Sequence, residues 1–129
     1  MSLSTLLNLL GFLNLLLAGC MVTPLLVNWI YDEPHARAFL FSIAVTALSG
    51  LFMILFFKRS SRDLSHREAF AIVALAWVSA TLFGALPYLF TGTLQSLADA
   101  CFETASGFTT TGSTVLTEIE KHFHGILFW

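Results

Sequence analysis

Three stretches of this chain, residues 3–31, 39–57 and 69–98, contain no Asp, Glu, Lys or Arg. A helix crossing a bilayer needs about 20 mainly apolar residues, because the hydrocarbon layer is about 30 Å thick and each helical residue rises ~1.5 Å. Each run meets that requirement. Composition agrees: of 129 residues 57% are hydrophobic and 11% charged, against roughly 45–50% and about 25% in soluble domains. The opening MSLSTLLNLL has no Lys or Arg, and its apolar run far exceeds the ~7–15 residues of a signal-peptide core, so it reads as a retained membrane helix. The formal charge of −2 matters less than where the charges sit. Cys20 and Cys101 read as small buried hydrophobes, not as a disulfide or a metal site.

The first helix is expected over residues 5–31, kinked at Pro24, with Trp29 and Tyr31 at a headgroup boundary. Asp32, Glu33 and Pro34 supply a cap, an acidic first turn and a proline opening the second helix, which makes the first two helices an antiparallel hairpin. The second helix ends at Phe57, and Lys58, Arg59, Ser60, Ser61, Arg62 and Asp63 form the next loop. Ser65 and Glu68 then fit a capping box for a third helix over residues 66–88. In that helix Ala76, Ala80 and Gly84 form a small-residue stripe suited to close helix packing. Asn8, Asn14 and Asn28 are expected to bond to neighbouring helices and not to ions. Lys58, Arg59, Arg62 and Arg67 outnumber Arg37, so the positive-inside rule places their loop, and the amino terminus, in the cytoplasm. Everything from Thr91 onward then starts outside.

The polar stretch FETASGFTTTGST, residues 102–114, interrupts this oil-like chain. Ser96 caps a helix over residues 97–106 that is too short to span, and Gly107 is placed to end it. A further membrane helix is expected to begin at Ile119. Irregular backbone at membrane depth survives only when buried in protein or lining a watery path. An extended Thr-Thr-Gly-Ser run can aim carbonyl oxygens at a cation and replace the hydration shell of K⁺. Gly112 permits backbone angles that a side chain forbids, and the short helix presents its partially negative carboxyl end. Asp99 favours the helix start, and Glu103 is expected to brace the loop. No nucleophile or metal set accompanies these two carboxylates, so they do not read as an acid–base pair. Residues 107–114 mimic a phosphate-binding loop, but Ser113 stands where its lysine belongs and no strand precedes it. His122 and His124, without a third ligand, read as interfacial.

The run DACFETASGFTTTGST, residues 99–114, resembles the first pore loop of the Trk/Ktr/HKT superfamily of potassium-uptake proteins, in its TrkH/TrkG-like branch. The likeness extends to Arg67-Glu68-Ala69-Phe70 and to Gly84-Ala85-Leu86-Pro87-Tyr88. It implies four helix–pore-loop–helix repeats around one ion path, with Thr110, Thr111, Gly112 and Ser113 as potassium selectivity-filter positions. Residues 1–64 would be an extra amino-terminal helical hairpin and cytoplasmic loop. Residues 65–129 would be the first repeat, truncated in its inner helix. The implied activity is uptake of K⁺, with Na⁺ as a further candidate ion, by symport across a bacterial inner membrane. No covalent chemistry, organic cofactor or nucleic-acid partner is implied. The implied partners are membrane lipid, the remaining repeats, a second copy in a homodimer and a cytosolic nucleotide-binding regulatory subunit. The chain thus reads as an amino-terminal fragment that is inactive alone. Two rivals remain: a single-repeat cation channel working as a homotetramer, and a small membrane interaction protein that transports nothing. The fold expected is an all-α integral membrane protein: three transmembrane helices, a short re-entrant pore helix with its filter loop, and the start of a fourth membrane helix.

Overall fold

The computed structural model describes residues 3–58 and 65–129; Arg59, Ser60, Ser61, Arg62 and Asp63 of the expected basic loop lie outside the described residues. Among the described residues all regular structure is helical. Three spans, Leu3–Ile30, Ala36–Phe56 and His66–Phe90, are long and apolar enough to cross a membrane.

The first span is two helices, α1 (Leu3–Cys20) and α2 (Val22–Ile30), broken at Met21. Pro24 causes the break. It has no N–H for the Cys20 carbonyl four residues back, and its ring crowds that oxygen. The Thr23 hydroxyl donates to the Cys20 carbonyl instead, at 2.7 Å. The kink therefore falls three residues ahead of the proline that produces it.

The turn after α2 departs from expectation. Asp32 is left-handed, with φ 52°, and the second span, α3 (Ala36–Phe56), has His35 at its amino-terminal cap with no side-chain cap bond. Glu33 is not in its first turn. Its carboxylate accepts from the side chain of Asn28 and from residues 91 and 92 positions further along.

Helices α1 and α3 form the expected hairpin, touching where Gly11 faces Gly50. A Cβ on either glycine would meet the other's carbonyl oxygen at 2.7 Å, so only hydrogen fits between the two backbones. Two asparagines stitch the spans. Asn8 donates to the carbonyls of Ile54 and Phe57 at 3.3 and 2.6 Å. Asn14 donates to Ser49 at 3.3 Å and accepts from Ser79 at 2.9 Å, joining all three spans at one buried point.

The third span is α4 (His66–Gly84) followed by α5 (Leu86–Phe90), interrupted at Ala85 with Pro87 in the first turn of α5. The capping box is present, Glu68 accepting the Ser65 N–H at 2.9 Å. The small-residue stripe divides between two partners. Ala76 and Ala80 line an open apolar groove with Leu13 of α1. A Cβ on Gly84 would meet Thr104 at 2.6 Å, which marks the close approach of a fourth element.

That element is α6 (Leu97–Phe108), and a one-turn 3-10 helix, Ile119–Lys121, and α7 (His124–Phe128) follow it. The helix expected from Ile119 therefore starts later, at His124. Glu118 is left-handed, with φ 53°, and His122 and Phe123 are extended, so the chain turns twice before it can coil. A buried core gathers Phe39 of α3, Ala85 of the α4–α5 junction, Tyr88 of α5, Ala100 of α6 and Ile126 of α7. Burial of the most apolar stretch falls from 39% in the first span to 22% in the second and 11% in the third. The third span thus offers most of its apolar surface to lipid or to further protein.

Candidate ion-binding loop

The short helix α6 is held at both ends. At its start Ser96 accepts the Asp99 N–H at 3.5 Å, and Asp99 adds negative charge to the first turn. Near its end Thr104 and Phe108 pack on Gly84. The Trp129 ring meets Phe108 edge-on at 5.7 Å and donates its Nε1–H to the Gly84 carbonyl at 2.8 Å. A side chain at the far end of the chain therefore fixes where α6 points.

Gly107 does not end this helix. The coil runs through Phe108, and Thr110 takes the left-handed conformation, with φ 56°. The Thr110 N–H bonds to the Gly107 carbonyl at 3.1 Å and the Thr111 N–H to the Ser106 carbonyl at 3.0 Å. This is the Schellman arrangement, which glycine usually completes. A β-branched residue there is strained, and such strain gathers at functional sites. The Thr109 hydroxyl shares a hydrogen bond with that of Thr111 at 2.8 Å.

Beyond this cap the backbone is irregular. Gly112 is left-handed, with φ 75°, while the intervening Thr111 is not. Thr110, Thr111, Gly112 and Ser113 are all exposed and consecutive. Among the described residues, the carbonyls of Thr110, Thr111 and Gly112 accept no hydrogen bond. The Ser113 carbonyl does, from the Ser106 hydroxyl at 2.5 Å. Glu103 braces the loop as expected: it accepts from the Thr114 hydroxyl at 2.8 Å and from the Val115 N–H at 2.9 Å. Three neighbouring carbonyl oxygens left without donors, beyond the carboxyl end of a short helix, are suited to a desolvated cation.

The two histidines behave differently from each other. His122 reaches only the Thr117 carbonyl, at 3.0 Å. His124 stacks on Tyr31 with ring centres 4.0 Å apart and places Nδ1 2.9 Å from Glu33. Among the described residues no group of three or more His, Cys, Asp or Glu is placed to hold a metal ion. Burial pushes the Glu33 carboxyl up, but the backbone N–H groups of Gly125 and His124 and the His124 ring outweigh it and hold the group below its ordinary value. Sequence reasoning missed Ser106 and the Glu33–His124 contact. Neither was signalled locally, because Ser106 bonds to a main-chain carbonyl that any residue at position 113 would offer and the Glu33 partners lie 91 and 92 residues further along.

Three apolar spans and a short helix with its polar loop define a multi-pass membrane protein. Comparison narrows this class. No family model matches the chain. The Trk system potassium uptake protein TrkH of Halomonas elongata is 37% identical over 130 residues, an alignment that takes in 100% of this chain and 27% of that relative. TrkH of Escherichia coli K12 is 37% identical over 120 residues, 92% of this chain and 25% of the relative. The crystal structure of the potassium transporter TrkH from Vibrio parahaemolyticus superposes with a TM-score of 0.92 at 30% identity, covering 99% of this chain and 28% of that one. The chain is a TrkH-like segment, and it spans about a quarter of the length of the relatives it matches.

Proposed function

We propose that this chain supplies one pore repeat to a Trk-type machine that takes up K⁺, with Thr110, Thr111, Gly112 and Ser113 as one strand of its selectivity filter. The observation that carries this reading is the exit of α6. A Schellman cap on a left-handed threonine delivers three donor-free carbonyls and a left-handed glycine into one exposed stretch. In such a filter, carbonyl dipoles replace the water that K⁺ leaves behind, so the work is ion binding without covalent chemistry.

Residues 65–129 are the repeat in this proposal, and residues 1–64 are an added helical hairpin packed beside it. One strand offers only part of the ring of oxygens that a bare K⁺ needs, so further repeats complete the path. The poorly buried third span is a surface where they would pack. The proposed orientation puts Lys58 and Arg67 in the cytoplasm and the pore loop outside, in a bacterial inner membrane. Coupling to H⁺ or Na⁺, a homodimer and a nucleotide-binding regulatory subunit belong to the same proposal, supported by likeness alone.

The test is a chimera in which this chain replaces the matching quarter of Escherichia coli TrkH, expressed in a cell lacking its own potassium uptake. Growth at limiting K⁺ is expected from the chimera and not from the 129-residue chain alone. A chimera that reaches the membrane yet restores no uptake would contradict the proposal. K⁺-selective uptake by the chain alone would favour the homotetramer.

A further inference from the structure

We infer that Ser106 and Glu103 form a register clasp on α6, holding the descending strand so that the carbonyls of Thr110, Thr111 and Gly112 face the ion and that of Ser113 does not. This inference rests on the reading of the loop as a K⁺ filter strand, and names the positioning residues of that site.

The two residues lie three apart in α6 and so share a face. Ser106 is buried, at 7% exposure, and donates to the Ser113 carbonyl at 2.5 Å, the short end of the O–H···O range. One turn earlier Glu103 divides its two oxygens between the Thr114 hydroxyl and the Val115 N–H. The Thr114 hydroxyl in turn accepts the Leu116 N–H at 3.0 Å. Residues 113, 114 and 115 are therefore each tied to α6, two of them by charge-assisted bonds. Nothing ties the carbonyls of residues 110–112. Gly112 stands between these donor-free carbonyls and the held Ser113 carbonyl, and its left-handed angles allow the chain to change direction there.

A carbonyl drawn toward its own pore helix points away from an ion on the opposite side of the strand. The clasp thereby fixes both the number of oxygens offered by the strand and their height along it. Discrimination between K⁺ and the smaller Na⁺ depends on how many oxygens coordinate and how freely they close in. Releasing Ser113 would add a loosely held oxygen and let the cage contract. Na⁺ should gain from this, and K⁺ should lose.

The chimera with Escherichia coli TrkH provides the assay, read as K⁺ KM, maximal K⁺ uptake and the K⁺/Na⁺ uptake ratio at equal membrane abundance. Ser106→Ala should lower the ratio about fivefold, the worth of one ordinary hydrogen bond, through a higher K⁺ KM with maximal uptake little changed. Ser106→Thr keeps the hydroxyl and should restore the ratio. An unchanged ratio in Ser106→Ala at normal abundance, or a loss in Ser106→Thr equal to that in Ser106→Ala, would overturn the clasp. Should Ser106→Ala fail to accumulate, Glu103→Ala decides, because it removes both oxygens that accept from Thr114 and Val115. A lowered ratio then supports the clasp and an unchanged one overturns it. Absence of K⁺ uptake by the unsubstituted chimera would defeat the filter reading itself, a result distinct from unchanged selectivity in the variants.

Discussion

Glu33 and His124 stand 91 residues apart in the chain, yet the Glu33 Oε1 lies 2.9 Å from the His124 ring nitrogen and 2.6 Å from its backbone nitrogen. The other carboxylate oxygen accepts the Gly125 N–H and the Asn28 side chain, each at 3.1 Å. Glu33 thus caps α7 from a distance, a task that Phe123 at the local cap position cannot perform. It also binds the turn between the first two spans to the start of the helix after the pore loop. Gly125 permits this approach, because a Cβ there would press on Asn28, Pro24 and Phe39 at 3.1–3.2 Å.

Removing the cap should loosen the end of the chain. Glu33→Ala is expected to cost about 0.5–2 kcal/mol, the usual worth of an amino-terminal cap. The loss should appear as faster hydrogen exchange at residues 124–129 with little change at residues 5–20. Uniform acceleration across both regions would mean that Glu33 holds the whole bundle and not this contact.

The same contact predicts a pH dependence. The folded chain holds the Glu33 carboxyl below its ordinary value near 4.5. Folding therefore favours the ionised group, and this contribution is complete above that pH and lost as pH falls through the lowered folded value. Protection at residues 124–129, taken against the intrinsic exchange rate at each pH, should fall on acidification below about pH 4.5, and Glu33→Gln should remove that fall. A transition of the same size in Glu33→Gln would assign it to other carboxylates.

The helix crossing at Gly11 and Gly50 predicts a steric effect. An alanine at either position places Cβ 2.7 Å from a backbone oxygen, so α1 and α3 must move apart, at a cost of about 1–3 kcal/mol. Gly19→Ala, with nothing within 4 Å of its Cβ, is the control. Thermal unfolding in detergent should separate the two classes, and equal midpoints for Gly11→Ala and Gly19→Ala would refute the contact.

These effects divide according to what a sequence carries locally. The three spans, the hairpin, the Ser65–Glu68 capping box and the bracing role of Glu103 were legible because each depends on residues within one element or one adjacent loop. The kink near Pro24 was legible in kind, though displaced to Met21 by its clash with the Cys20 carbonyl. The end of α6 was misread because glycine is the usual left-handed terminator, while burial of Thr104 and Phe108 against Gly84 carries the coil through Gly107 to Phe108. Glu33 was misassigned because its partners lie on the far side of the pore loop, and no local pattern encodes contact between residues 33 and 124.

Sidedness is testable in a background lacking Cys20 and Cys101. Cysteines at the exposed positions Pro34 and Thr117 should react with an impermeant maleimide added outside, and one at His66 only after permeabilisation. External labelling of position 66 would invert the proposed orientation and move the pore loop to the cytoplasmic side.

The filter assignment is tested most directly by two glycines five residues apart. A Cβ at Gly107 or at Gly112 would meet nothing within 4 Å, and the two differ in that Gly112 alone has a left-handed φ, at 75°. Alanine at Gly107 continues a helix. At Gly112 it adds roughly 1–2 kcal/mol of backbone strain, about tenfold in an equilibrium that must occupy that conformation. The measurement is the K⁺/Na⁺ flux ratio of the purified chimera with Escherichia coli TrkH in liposomes. The account predicts an unchanged ratio for Gly107→Ala and a fall approaching tenfold for Gly112→Ala; equal ratios in both variants and the parent would contradict it.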